Sequence, residues 1–360
     1  MSETDRMRSM WRSAVVAAIL AGGLITATAD ALPLAQPYAG NADAQPAIVV
    51  GSPTGSPPDS PAAHVDPNST ASPFGGVGSI IVSTGSGLGL CSGAAISRRH
   101  VLSAAHCFDL NNDGAVDVNG ANFVHNFGGS PSGVGSALDI TIHPDYSGFN
   151  NPGLNDDVAV LELAADLPIG MPIYDLYREP FDTITPIVMA GYGQSGDGEN
   201  GLTVQADPTV KRIGANVAEF FILDDEGSGA REIFLFDFDA PETAGQPGGS
   251  LGNDIEATLS FGDSGGPAFA VENGELLLFG VNSFLLSTPT AQAPLFGSLA
   301  GGMLVSGYAD WIDAVLASST PVDVVDVPEP PAMAIFGIGV AGLLLLRRRQ
   351  ARSVARSGGV

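Results

Sequence analysis

Apolar residues in this chain come in short runs, each broken by Gly, Pro, Asn or Asp, and few long stretches keep a helical period. That pattern predicts many short strands, as in a β-sandwich or β-barrel, rather than a helical bundle. One run is informative in detail. After Asn155-Asp156-Asp157 comes Val158-Ala159-Val160-Leu161-Glu162-Leu163, an alternating strand whose Val158, Val160 and either Leu161 or Leu163 can face a core. A carboxylate stands at its head.

Two longer apolar runs lie at the ends and read as addresses rather than fold. A basic start closing at Arg12 leads into the run 14–27 and then into small residues suited to cleavage after Ala29 or Ala31, so residues 1–31 are expected to be a secretory signal peptide. At the far end Val327-Pro328-Glu329-Pro330 precedes the run 332–346 and the basic tail 347–360. That run is shorter than the ~20 residues that cross a bilayer comfortably. The arginines beside it favour the cytoplasmic side. A plain C-terminal membrane anchor is the alternative to a sorting segment. Residues 32–72 are rich in Ala, Pro, Ser, Gly and Asp without periodicity and read as a propeptide or linker; 318–331 read as a second linker. The globular part is then 73–317, sized for a single two-barrel β domain.

Charge narrows the partners. The formal net charge is −25, and of 14 basic residues Arg6, Arg8 and Arg12 lie at the start and Arg347, Arg348, Arg349, Arg352 and Arg356 at the end, so the body between is more acidic still. Such a surface repels phosphate backbones and excludes nucleic acid as a partner. It suits a solvated, exported protein.

Three segments carry chemistry. Phe261-Gly262-Asp263-Ser264-Gly265-Gly266-Pro267 sets a serine in a Gly-rich turn after an apolar strand. A serine hydroxyl needs a base to become a nucleophile, and the intermediate of acyl transfer needs N–H donors for its oxyanion, which glycines let converge. Val101-Leu102-Ser103-Ala104-Ala105-His106-Cys107 delivers a histidine from an apolar strand. The carboxylate heading the strand at 158 could hold that imidazole in one tautomer. Asp157 is preferred to Asp156 because it immediately precedes the apolar run.

On Ala-Ala-His106-Cys, Asp157-Val-Ala-Val-Leu-Glu-Leu and Gly-Asp-Ser264-Gly-Gly-Pro, in that order, the chain resembles the chymotrypsin/trypsin family of serine proteases over roughly 76–316. Subtilisins and α/β-hydrolases use other orders. Weaker echoes are Ile142-His143-Pro144-Asp145-Tyr146, Ala190-Gly191-Tyr192-Gly193 and Tyr308-Ala309-Asp310-Trp311-Ile312. The resemblance implies an all-β fold of two six-stranded antiparallel β-barrels with a short C-terminal helix. It implies a serine-type endopeptidase with His106 as base, Asp157 as its orienting acid and Ser264 as nucleophile. The N–H groups of Gly262 and Ser264 would form the oxyanion hole, and Ser283, Phe284 and Leu285 would lie along the bound substrate. It also implies a Cys91–Cys107 disulfide, a protein or peptide substrate and no cofactor for catalysis.

Departures from the family limit the substrate. Thr258 stands six residues before the nucleophile, where Arg/Lys-specific members place an aspartate, and Leu285 occupies the usual glycine at the pocket entrance. The expected preference is for an uncharged side chain, unless Asp254 or Glu256 takes the pocket position through a shifted alignment. Ile48-Val49-Val50-Gly51 loosely matches the terminus that family zymogens free to pair with the aspartate before the nucleophile, here Asp263. It follows Ala47 rather than a basic residue, and Asp263 could instead be satisfied internally.

Asp109, Asn111, Asp113 and Asp117, with Gly114 at the sixth position, follow the spacing of an EF-hand calcium loop but lack its closing glutamate. A polar turn is the other reading. The tail as a whole resembles the PEP-CTERM sorting signal of Gram-negative bacteria, which implies recognition by an exosortase-type enzyme and association with the cell surface or extracellular matrix. The alternative function is a catalytically silent, protease-fold surface protein that binds matrix. Three intact triad positions speak against it.

Overall fold

The computed structural model describes residues 48–149, 155–180, 183–243 and 250–319. Six strands close one barrel: β2 (Val77–Ser83), β3 (Leu88–Ala95), β4 (His100–Ser103), β5 (Gly120–His125), β6 (Gly133–Ile142) and β7 (Ala159–Leu163), in the order β2-β3-β4-β7-β6-β5. Its inward positions include Ile80, Val101, Phe123 and Leu161, all fully buried. Closure leaves no strand edge unpaired.

The second half is consistent with the expected second six-stranded barrel. Beside β1 (Ile48–Val50), β9 (Ser195–Asp197) and β10 (Gly201–Val204) form a small sheet with it. The larger sheet comprises β8 (Thr185–Gly191), β11 (Arg212–Ala218), β12 (Phe220–Leu223), β13 (Arg231–Asp237), β14 (Pro267–Glu272), β15 (Glu275–Leu286) and β16 (Leu299–Leu304). Its seven strands run in the order β11-β8-β14-β15-β16-β13-β12. β12 continues β11 after the single residue Glu219, whose N–H donates to the Leu235 carbonyl at 2.9 Å, and it is hairpinned onto β13. The two ends of this order, β11 and β12, run on from one another, so one bent strand pairs with β8 through its first part and with β13 through its second. Phe234, Phe236, Phe279 and Leu304 fill its core. A fully buried phenylalanine of this kind contributes about 1.5–3 kcal/mol of transfer free energy. Helix α1 (Val305–Ser318) closes the domain, burying Val305, Tyr308, Ala309 and Ile312 at helical spacing.

The expected boundary at residue 73 moves. Residues 48–72, taken from composition as linker, fold into the domain: Ile48, Val49 and Val50 are fully buried, and β1 runs parallel to β9. Proline and serine there form turns tied by buried polar groups, with Asp59 accepting the Gly51 N–H at 3.0 Å and Asn253 Oδ1 accepting that of Ser52 at 2.6 Å. The proposed signal peptide, the remainder of the linker, the 332–346 run and the basic tail lie outside the described residues. No helix among the described residues is long and apolar enough to cross a membrane.

Several carboxyls are buried in this second half. Burial pushes Asp237 up to about 8, helped by Asp239, Glu219 and Glu256, and pushes Glu232 and Glu256 up to about 7 against hydrogen bonds that favour ionisation. Each therefore holds a proton in the folded chain that an unfolded carboxyl releases near pH 4. The stability they contribute is complete below about pH 4 and is lost as pH rises through about 7–8. Melting temperature should fall between pH 5 and pH 9, and Asp237→Asn should flatten that fall; a melting temperature that rises over this range would contradict the assignment.

Candidate active site

The acid and the imidazole come from adjacent strands of the closed barrel. β4 pairs with β7, so the turn after Ser103 and the residues before Ala159 lie side by side. His106 sits in the single helical turn Ala105–Cys107 and is buried. Its Nδ1 lies 2.7 Å from Asp157 Oδ2, and its backbone N–H donates to Asp157 Oδ1 at 2.8 Å. The Ser283 hydroxyl donates to the same carboxylate. Burial opposes ionisation of Asp157, but the nearby His106 and these three hydrogen bonds outweigh it and hold the carboxyl below its ordinary range. Asp156, the rival acid, has φ +48 and points elsewhere, pairing with His143 at 3.2 Å.

Ser264 arrives from the other half, in the turn before β14. Gly262 has φ +101 and Gly265 φ +78, backbone that an L side chain would resist. The N–H groups of Gly262 and Ser264 have no hydrogen-bond partner among the described residues. Those donors remain available to an oxyanion. The Ser264 carbonyl accepts from the Ser92 N–H at 2.8 Å, which seats the turn against β3 next to Cys107 and hence His106. His106 Nε2 and Ser264 Oγ share no hydrogen bond here, a common state of serine–histidine pairs without substrate.

Asp263, beside the nucleophile, is fully buried. It accepts from the Gly193 N–H at 2.9 Å and from the Ser260 N–H and hydroxyl at 2.9 and 3.0 Å. Burial pushes it up to about 6 despite these bonds and one from the Ile48 N–H. Ile48 itself has φ +64, a costly conformation for a β-branched residue within a chain.

The expected substrate-strand residues are less open than their positions implied. Ser283 directs its hydroxyl to Asp157, and Phe284 and Leu285 are buried in the core. Thr258 is fully buried, pairs its backbone with Val49 and leaves Oγ1 without a partner. Leu285 faces Ala300 across β15 and β16. Neither rival acid enters this region as a free carboxylate: Asp254 is exposed, and Glu256 is held by the N–H groups of Asp239 and Leu251 at 2.6 Å each.

Two contributors carried no sequence signal of their own. Ser92 bridges the halves: besides its N–H bond to Ser264, its hydroxyl donates to the Gly262 carbonyl at 2.9 Å. Its place after Cys91 is the only hint the sequence holds. Phe149 lays its ring 4.9 Å from the His106 ring and shields it. The loop 109–117 does not assemble as a ligand set. Asp109 accepts the Asp113 and Gly114 N–H groups, Asp113 that of Ala115 and Asp117 that of Leu110, so these carboxylates serve the turn's own backbone.

Both the fold and the paired acid and imidazole define the class: a two-part β protein with a buried carboxylate–imidazole pair and a Gly-rich serine turn at the junction of its halves. Residues 69–220 match the family model described as Trypsin, and 326–349 match the PEP-CTERM protein-sorting motif. The chain is similar to venom serine protease Bi-VSP of Bombus ignitus, 36% identical over 29% of this chain and 30% of that protein. It is similar to chymotrypsin-like elastase family member 1 of Bos taurus, 26% identical over 64% of this chain and 79% of that one. Among solved structures, an HL collagenase aligns over 69% of this chain and 95% of its own at 19% identity, with a TM-score of 0.47. By the match over residues 69–220 and by these relatives, the chain is similar to trypsin-type serine endopeptidases. Catalysis in this family uses no cofactor.

Cys91 and Cys107 are joined in a disulfide across 16 residues, clasping β3 to the turn that carries His106. Closing a loop of this length constrains the unfolded chain by about 3 kcal/mol. A Cys91→Ala/Cys107→Ala chain should lose about that much stability in denaturant titration, and activity should fall further than stability alone explains because His106 is adjacent. Unchanged stability would remove the disulfide from the account.

Proposed function

We propose that this chain is an exported endopeptidase that cleaves peptide bonds by acyl transfer on Ser264. The observation that carries the reading is the buried His106–Asp157 pair, at 2.7 Å, beside the glycine-dependent turn holding Ser264. Ser264 Oγ attacks the scissile carbonyl as its proton passes to His106 Nε2. The N–H groups of Gly262 and Ser264 receive the oxyanion. Collapse expels the amine, which takes the proton from His106. Water, activated by the same imidazole, then attacks the acyl-enzyme, releases the carboxylic acid and restores Ser264. Asp157, kept ionised by its three hydrogen bonds, stabilises the imidazolium throughout.

The preferred substrate presents an uncharged, small or apolar side chain. Thr258 brings no charge, while Asp254 is exposed and Glu256 is capped by the N–H groups of Asp239 and Leu251. Activation fits removal of everything before Ile48. The Ile48 N–H already reaches Asp263, and a freed amine there would replace a strained φ with an ion pair in the interior. The PEP-CTERM tail supports export and handling by an exosortase-type enzyme at a Gram-negative cell surface, with domain limits of 48–318 for the catalytic body.

A fluorophosphonate probe should label the processed protein and not Ser264→Ala. Asp157→Asn should label far more slowly and lose on the order of 10⁴ in kcat, the effect that loss of the orienting acid has in this type of triad. A protein that neither labels nor cleaves after processing would leave the silent surface-protein reading instead. In a peptide library, cleavage should follow small or apolar residues; cleavage confined to Arg and Lys would refute the pocket assignment.

A further inference from the structure

Next to the proposed catalytic acid lies a second cluster that acyl transfer does not use. Asp156, Asp225 and Glu226 each bring one carboxylate oxygen to within 4.8 Å of the other two. Asp156 is 3% exposed and Asn155 6% exposed, whereas Asp225 and Glu226 are exposed, on the turn between β12 and β13. Two buried oxygens here have no hydrogen-bond partner, Asp156 Oδ2 and Asn155 Oδ1. Asn155 Nδ2 donates to Asp225 Oδ2 at 3.0 Å, so its amide already borders the cluster. Leaving a buried carboxylate oxygen unpaired is costly, and leaving it among like charges more so. The other oxygen of Asp156 is occupied by His143, at 3.2 Å, and no lysine or arginine among the described residues pairs with any of the three acids.

The geometry points to a divalent-cation site of the calcium class, formed by Asp156, Asp225 and Glu226 with Asn155 at its rim. The donors are all hard oxygens, which suits calcium or magnesium and not a thiol- or imidazole-seeking metal. A cation with ligands at about 2.3–2.6 Å reaches oxygens up to about 5 Å apart, which matches the spacing found. The mixture of buried and solvent-facing carboxylates leaves room for water to complete the irregular shell that calcium accepts and magnesium does not. Occupancy would fasten the β12–β13 turn to the residue preceding Asp157. It would thereby fix the loop that aims the acid at His106.

Because the inference concerns binding, it is tested on the full chain carrying Ser264→Ala, where proteolysis cannot interfere and catalysis is not the readout. At a calcium concentration a hundred times the dissociation constant, melting should rise by roughly 5–10 °C over the chelator-treated protein. Equal magnesium should give little of that shift. Asp225→Asn/Glu226→Gln, both at exposed positions, should abolish the calcium response while leaving the metal-free melting temperature nearly unchanged. Asp109→Asn/Asp113→Asn should keep it, which separates this cluster from the 109–117 loop. Terbium luminescence on the same variants gives a reading independent of stability. No calcium shift, or a shift that survives Asp225→Asn/Glu226→Gln, overturns the site. Failure of probe labelling in the unmodified chain would refute the proposed protease activity without touching this result.

Discussion

The carboxylate of Asp263 is the interaction on which the rest of this structure hangs. It is fully buried, and the neighbourhood is built to receive it. A Cβ at Gly191 would sit 2.1 Å from its Oδ1, so that position must be glycine. A Cβ at Gly214 would meet Ala257 Cβ at 2.5 Å and Ile48 Cγ2 at 2.8 Å, so that position is open for Ile48. With Gly193, Ser260 and Ile48 all donating to one side chain, the 260–264 turn can take only one path. The two N–H groups beside Ser264 are thereby left pointing at no protein acceptor. An unpaired donor is a cost in an ordinary loop and an asset where an oxyanion is to form.

A division of labour between the halves follows. The closed barrel holds the acid and the imidazole on paired strands, where the Cys91–Cys107 clasp and three hydrogen bonds leave Asp157 little freedom. The second half presents the serine on a tight turn that glycine at 262 and 265 allows. Ser92 is the coupling between them, because it grips both Gly262 and Ser264 from the barrel side. A site divided in this way is assembled only when both halves are folded. It also depends on Ile48 being seated, since Ile48 buttresses Asp263 from behind.

Much of this was legible in the chain because it is local. The three segments around His106, Asp157 and Ser264 each carry several adjacent residues whose types are dictated by chemistry and by tight backbone turns. Strand content showed in the short apolar runs, and the closing helix in Tyr308 to Ile312. What could not be read depends on contacts distant in sequence. Residues 48–72 have the composition of a linker, and only the fold reveals that Asp59 and Asn253 tie their backbone down. β11 is a sharper case: its inward positions are Arg212, Gly214, Asn216 and Ala218, while Ile213 and Val217 are only half-buried. Alternation would have put the β-branched residues inside. The inward face is small and polar because Ile48 enters over Gly214, and because Asn216 Nδ2 must satisfy the carbonyls of Asp237 and Ala257 at 2.9 Å each. In the same way, no pattern announced that the turn between β12 and β13 would lie against Asn155 and Asp156.

The adjacent pair Asp156-Asp157 condenses the argument. Successive residues in an extended strand face opposite sides, but both of these acids are buried, and a regular strand could not supply partners for both without crowding their charges. The left-handed φ of Asp156 resolves this by turning one carboxylate toward His143 and the β12–β13 turn and leaving the other on His106. Aspartate tolerates that conformation better than most residues. Asp157 is then held from within by three donors, the His106 imidazole, the His106 backbone N–H and the Ser283 hydroxyl, and its place is secured by the protein alone. Asp156 has one imidazole, one unpartnered oxygen and two acids as neighbours, in a chain that already carries a net charge of −25. The backbone between them is one peptide long, so whatever balances Asp156 acts on the position of Asp157. Positive charge supplied from solution at this point would serve both acids, and the one that touches it is not the one that takes part in the chemistry.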